Sequence, residues 1–86
     1  MISKKTKYAI NALVHLAKRK EEGPILISQI AASERIPQKF LEAILLELKK
    51  AGVLASKKGK GGGYYMTKSP EDIHMAEIMR LFDGPI

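Results

Sequence analysis

The sequence contains no cysteine and no tryptophan, and its aromatic residues are three tyrosines and two phenylalanines. Without cysteine there is no disulfide framework, no thiolate metal site and no cysteine nucleophile. No apolar run approaches the ~18 residues that a membrane-spanning helix needs. The basic N-terminus does not lead into a signal peptide, because Asn11, His15 and Lys18 interrupt the apolar stretch. Two histidines, His15 and His74, are too few for a metal site without nearby carboxylate ligands. Ser28 and Ser33 have no histidine–acid constellation to activate them. No catalytic residue, metal ligand or cofactor is therefore expected. What remains is an 86-residue chain, 45% hydrophobic and 28% charged, which reads as one soluble, cytoplasmic domain with a modest core.

Charge is plentiful and unevenly placed. The net charge is +6, yet residues 1–20 alone carry six basic side chains and no acid. Residues 48–70 carry Lys49, Lys50, Lys57, Lys58, Lys60 and Lys68, again with no acid. The intervening and final segments are each net acidic. Two blocks of one sign point to a polyanionic partner, although basic blocks are often only solvated faces.

Apolar periodicity predicts a first helix over about 4–20, with Ala9, Ile10, Leu13, Val14, Leu16 and Ala17 within an arc of about 160°. His15 falls on its polar side and reads as an exposed histidine. Gly23-Pro24 ends the helix, and Ile25-Leu26-Ile27 reads as a three-residue strand. Ser28 suits the N-cap of a short helix over 28–34. Pro37 suits the first position of a third helix over 37–51, where a missing N–H is not needed. Phe40, Leu41, Ile44, Leu45, Leu48 and Ala51 form its apolar face, and Gly52 follows its end. Two helices joined by a few residues, the second longer and polar outside, match a helix-turn-helix.

The next segment is more specific. Strands at Val53–Ser56 and Tyr64–Thr67 flank Lys57-Lys58-Gly59-Lys60-Gly61-Gly62-Gly63, giving a β-hairpin over about 53–67 with lysines near its tip. A hairpin directly after such a helix pair is a wing, so the fold class is mainly α with a small β-hairpin, a winged helix-turn-helix. A last helix over 75–83 has His74 as its N-cap and Glu77 completing an imperfect capping box. Its apolar residues cover about 220°, wider than one core contact requires, which implies a partner subunit or a further C-terminal segment. Met66, Met75 and Met79 read as core or interface filler.

In order, these pieces resemble the DNA-binding half of the iron–sulfur-cluster and nitric-oxide-responsive winged-helix repressors (IscR/NsrR-type regulators). The residues carrying the likeness are Ser3–Leu13, Ile36-Pro37-Gln38-Lys39-Phe40-Leu41-Glu42, Leu48–Leu54, Ser56–Tyr64, Ile73–Ile78 and Asp83-Gly84-Pro85. The triple glycine followed by tyrosine is the most distinctive of them. The resemblance implies a bacterial-type regulator, a repressor, that binds a partly palindromic double-stranded operator as a homodimer. Its third helix is expected in the major groove and its wing in the adjacent minor groove. By position Gln38, Lys39, Glu42 and Ala43 would read base edges. Lys57, Lys58, Lys60, Gly61 and Gly62 would form the wing contact, and Lys4, Lys5, Lys7 and Tyr8 would meet the backbone. Cluster-sensing members carry three cysteines, and a long dimerisation helix, beyond the stretch matched here. With no cysteine in this sequence, a cluster is not carried over.

Other readings are weaker. Gly59-Lys60 is followed by glycine rather than Ser or Thr and leads into a strand, unlike a phosphate-binding loop. A protein-interaction module would find its best support in Leu46, which lies among polar neighbours. RNA binding is permitted by the basic wing, but Tyr64 and Tyr65 are adjacent and so point to opposite faces of a strand. An enzyme is not expected, nor is a membrane partner.

Overall fold

The computed structural model describes residues 2–84. Four helices and one antiparallel hairpin follow in the order α1 (Lys4–Lys18), α2 (Ile27–Glu34), α3 (Gln38–Lys50), β1 (Leu54–Lys57), β2 (Gly63–Met66) and α4 (Met75–Asp83). Single 3-10 turns lie at Lys20–Glu22 and Pro70–Asp72.

Helix α1 begins where Ser3 Oγ accepts a hydrogen bond from the Thr6 N–H at 3.2 Å, satisfying one of the free donors of the first turn. At the other end Arg19 Nη1 donates to the His15 carbonyl at 3.2 Å, and the chain tightens into the 3-10 turn rather than continuing to Lys20. The buried stripe is Ala9, Ala12, Leu13 and Leu16, with Thr6 and His15 also enclosed. Val14, expected inside, is 44% exposed.

His15 is the clearest departure from the wheel. It is 3% exposed, and its Nδ1 lies 2.9 Å from Glu34 Oε2 at the end of α2. The carboxylate satisfies the imidazole, so a polar ring can be buried between two helices.

Ile25–Ile27 does not form a strand of three. Ile25 alone bridges Tyr64, with reciprocal N–H···O bonds of 2.8 Å. Ile27 already belongs to α2, so Leu26 occupies the N-cap position and Ser28 lies inside the first turn, with no side-chain cap. Arg35, at φ 56° and ψ 48°, turns the chain from α2 into α3. Its backbone N–H closes on the Ala31 carbonyl, as does that of Ile36 at 3.0 Å. Pro37 departs in the opposite sense, one position earlier than expected, at the N-cap of α3. There its fixed φ of −55° with extended ψ holds the entry to the helix.

Leu41, Ile44, Leu45 and Leu48 on α3 are fully buried and form the centre of the core with Ile30, Val53, Leu54 and Ile78. Ala51 caps the helix but is exposed, and Gly52 follows at φ 80°. The hairpin pairs Leu54 with Met66, Ala55 with Tyr65, Ser56 with Tyr64 and Lys57 with Gly63. Gly63 must be glycine on two counts. Its φ is +142°, and a Cβ there would collide with the backbone of Ile25. That close approach seats the hairpin against the body of the domain.

Helix α4 starts at Met75 as the sequence suggests, but His74 provides no side-chain cap. Its carbonyl instead accepts from the Glu77 N–H at 2.9 Å, so the proposed capping box is not made. Ile78 is buried against the core, Met79, Leu81 and Phe82 are half-buried, and Met75 is exposed. Among the described residues no helix is long and apolar enough to cross a membrane.

Candidate nucleic-acid interface

The buried leucines and isoleucine of α3 fix which of its residues face outward. Gln38, Lys39, Glu42 and Ala43 are all exposed, and Leu46 and Lys50 continue the same side toward the C-terminus. This face carries amine, amide and carboxylate groups over a helix about 20 Å long.

Each end of α3 is fixed by a neighbour. At its start, Phe40 is not inside the core as the apolar pattern suggests but 47% exposed. Its ring meets Tyr8 of α1 edge to face, centroids 5.9 Å apart. Lys4 Nζ lies 6.0 Å from the centre of the Tyr8 ring, so a cation, two aromatics and the first turn of α3 adjoin. At its end, Lys49 Nζ donates to Ser56 Oγ on β1 at 2.7 Å, tying the helix to the hairpin. Sequence reasoning missed both contacts. Phe40 lies at the edge of the apolar arc, which was its only local signal.

The hairpin tip is built from Lys57, Lys58, Gly59, Lys60 and Gly61, all exposed. Gly62 is buried, because its α-carbon passes so close to the Lys57 and Gly59 carbonyls that a side chain could not fit. The Gly62 N–H donates to the Gly59 carbonyl at 3.0 Å, closing the turn. Gly61 therefore stands at the accessible tip, whereas Gly62 shapes it.

On the other side Lys4 and Lys7 are exposed, while Lys5 is half-buried with its Nζ 5.7 Å from the centre of the Phe82 ring. The first turn of α1 holds no acid to balance these cations. The positive end of a helix dipole disfavours them by about 0.3–1 kcal/mol each, a cost that a bound anion offsets. Tyr8 is half-buried between this arm and Phe40.

Among the described residues, no three His, Cys, Asp or Glu side chains are placed to hold a metal ion. His15 is bonded to Glu34, and His74 lies on the surface before α4.

Comparison with known proteins places this arrangement. An rrf2-like HTH-type transcriptional regulator of Rhodobacter capsulatus is 46% identical across all of this chain, which covers 59% of that protein. The solved structure of CymR (YrzC), the global cysteine regulator of B. subtilis, superposes with a TM-score of 0.93 at 34% identity. That match covers all of this chain and 67% of the other. The structure of T. potens IscR gives a TM-score of 0.90 at 32% identity, covering 100% and 63%. The chain spans between 51% and 62% of the length of curated relatives such as these. A family described as "Iron-dependent Transcriptional regulator", Rrf2, matches residues 2–86. Among the described residues the one buried histidine is hydrogen-bonded to a carboxylate, and the sequence contains no cysteine. With the winged-helix architecture, the triple-glycine hairpin and the sequence match in agreement, the chain belongs to the Rrf2 family.

Proposed function

We propose that this chain is the duplex-reading part of a transcriptional regulator, with α3 in the major groove and the hairpin in the adjacent minor groove. The observation that carries this reading is the exposed polar face of α3 framed by two clusters of lysine, one at the hairpin tip and one on the first turn of α1. Gln38, Lys39, Glu42 and Ala43 read base edges. Lysine donates to guanine O6 or N7, glutamine pairs with adenine, glutamate accepts from cytosine N4, and alanine can touch a thymine methyl. Lys4, Lys7 and Tyr8 on one side, and Lys57, Lys58, Lys60 and the backbone at Gly61 on the other, meet phosphates and set register without reading sequence. Lys5 contributes charge from its seat beside Phe82, and Gly62 shapes the tip. Two such units paired as a homodimer would reach half-sites about 34 Å apart, one helical turn. The partly covered apolar side of α4 is compatible with that pairing. A regulator of this type acts in the bacterial cytoplasm, where its operator lies, and calls for repression by occupancy of that operator.

The test is a salt titration of binding to random and genomic duplex pools. Log affinity for selected duplexes is expected to fall with log salt at roughly −0.9 per phosphate contacted. Lys39→Ala is expected to change which sequence is preferred. Equal affinity for every duplex, or none at low salt, would overturn the proposal.

A further inference from the structure

One large side chain on the outward side of α3 neither donates nor accepts a hydrogen bond. Leu46 is 49% exposed, although an aliphatic side chain gains nothing from water. It does not lie at the margin of the buried face. Counting along the helix, Lys39, Ala43, Leu46 and Lys50 follow at intervals of four, three and four residues, so they form one outward stripe directly opposite Leu41, Ile44, Leu45 and Leu48. The stripe is cationic at both ends and apolar in the middle. Glu42, Glu47 and Lys49 flank it, which keeps the apolar strip narrow.

A protein docking onto α3 would bury a broader apolar patch than one leucine and one alanine provide. A narrow apolar strip between lysines calls for a partner that is anionic overall and presents a small apolar group within reach of a helix. In the major groove of DNA that group is the C5-methyl of thymine, the one apolar feature that base pairs display there. The distance along the axis from Lys39 to Lys50 is about 16 Å, comparable with the ~12 Å width of that groove and its phosphate rims.

We infer that Leu46, with Ala43 one turn before it, is a specificity-determining contact for thymine methyl groups in the operator. This rests on the duplex-binding reading above and adds to it a thymine contact made through the methyl group rather than through a hydrogen bond. Leu46→Ala keeps a helix-favouring residue at an exposed position, so the variant retains the fold.

The experiment uses the protein with a duplex selected from the genomic pool and the same duplex carrying deoxyuridine in place of individual thymidines. Only the methyl group is removed; every hydrogen-bonding group remains. For the unaltered protein, one or two positions per half-site are expected to weaken binding about three- to tenfold. Leu46→Ala is expected to bind the thymidine and deoxyuridine forms equally at the position that Leu46 faces, while any position facing Ala43 keeps its methyl effect. The inference is overturned if no substitution matters to the unaltered protein, or if the methyl effect persists undiminished at every position in Leu46→Ala. It is overturned in favour of a protein partner if Leu46→Ala binds every duplex as the unaltered protein does but loses self-association. Failure to select any duplex is a different result, because it removes the duplex-binding reading itself.

Discussion

The two basic blocks carry the same formal charge and the structure uses them differently. The first, residues 1–20, is divided by α1 itself. Lys4, Lys5 and Lys7 lie at one end of a 15-residue helix and Lys18 at the other, about 20 Å apart, with Arg19 and Lys20 beyond it. Arg19 is occupied in capping the His15 carbonyl, and Lys4 and Lys5 lean on aromatic rings. Five of the six lysines of the second block are gathered. Lys49 and Lys50 end α3, and Lys57, Lys58 and Lys60 stand on a hairpin bonded to that helix end. Charge counted along a sequence therefore overstates the first block and understates the second, because a helix separates its ends and a hairpin concentrates its tip.

The sharpest way to break this contrast is to unseat the hairpin while leaving every charge in place. Gly63→Ala forces a side chain into the Ile25 backbone at a φ that L residues rarely adopt. The expected loss is about 3 kcal/mol, a fall in melting temperature of roughly 12–24 °C for a domain of this size. Duplex affinity should fall with it even at temperatures where the helices persist. An unchanged melting curve would show that the hairpin does not depend on this close approach.

Charge reversal separates the two blocks directly. Lys58→Glu with Lys60→Glu should weaken binding to all duplexes about a hundredfold and lower the salt slope by about two. Lys18→Glu with Lys20→Glu makes the same formal change at the far end of α1 and should cost less than about threefold. Equal losses measured by fluorescence anisotropy would mean that net charge, not its placement, governs binding.

The next effect concerns α1 as a structural element. His15→Ala removes a buried ring and leaves Glu34 without its partner, for an expected loss of about 2 kcal/mol in chemical denaturation. Glu34→Gln retains a hydrogen-bonding oxygen at a partly exposed site and should cost less than about 1 kcal/mol. If the two losses are the same, the interaction depends on charge rather than on filling and bonding the interior.

These contacts also mark what the sequence could convey. The order of helices, the glycine-rich turn and the lysines at its tip were legible, because periodicity and turn chemistry are local. The outward placement of Gln38, Lys39, Glu42 and Ala43 was legible for the same reason, since a helix with four buried positions leaves its opposite side in solvent. His15 was not legible, because the carboxylate that permits its burial arrives from 19 residues away. Phe40 was misplaced for a related reason. Its apolar character suggested the core, and only the crossing of α1 over the start of α3 gives it Tyr8 as a neighbour. Ile25 shows the same limit on a smaller scale, as one residue of an apolar run pairs with β2, the next is the N-cap of α2 and the third enters that helix.

The smallest effect tests how the N-terminal cluster is held. The Ser3 N–H approaches Asp83 Oδ2 at 3.5 Å, bringing the end of α4 to the residue before Lys4. Hydrogen bonding from the Ser3 side chain first, and from Thr6, holds the Asp83 carboxyl below the usual carboxylate range despite the opposing effect of desolvation. A carboxylate with a lowered pKa in the folded protein stabilises it above the unfolded-state value, and that contribution is lost as pH falls through the folded value. Asp83→Asn is therefore expected to lower the melting temperature slightly at neutral pH. The difference from the unaltered protein should shrink as the solution is taken below pH ~4. Because Asp83 is on the surface, salt should shrink it as well. A difference that stays constant across the acidic range would mean that the link between α4 and Ser3 depends on shape alone. The first basic block would then be held in place by packing of Lys5 on Phe82 rather than by this carboxylate.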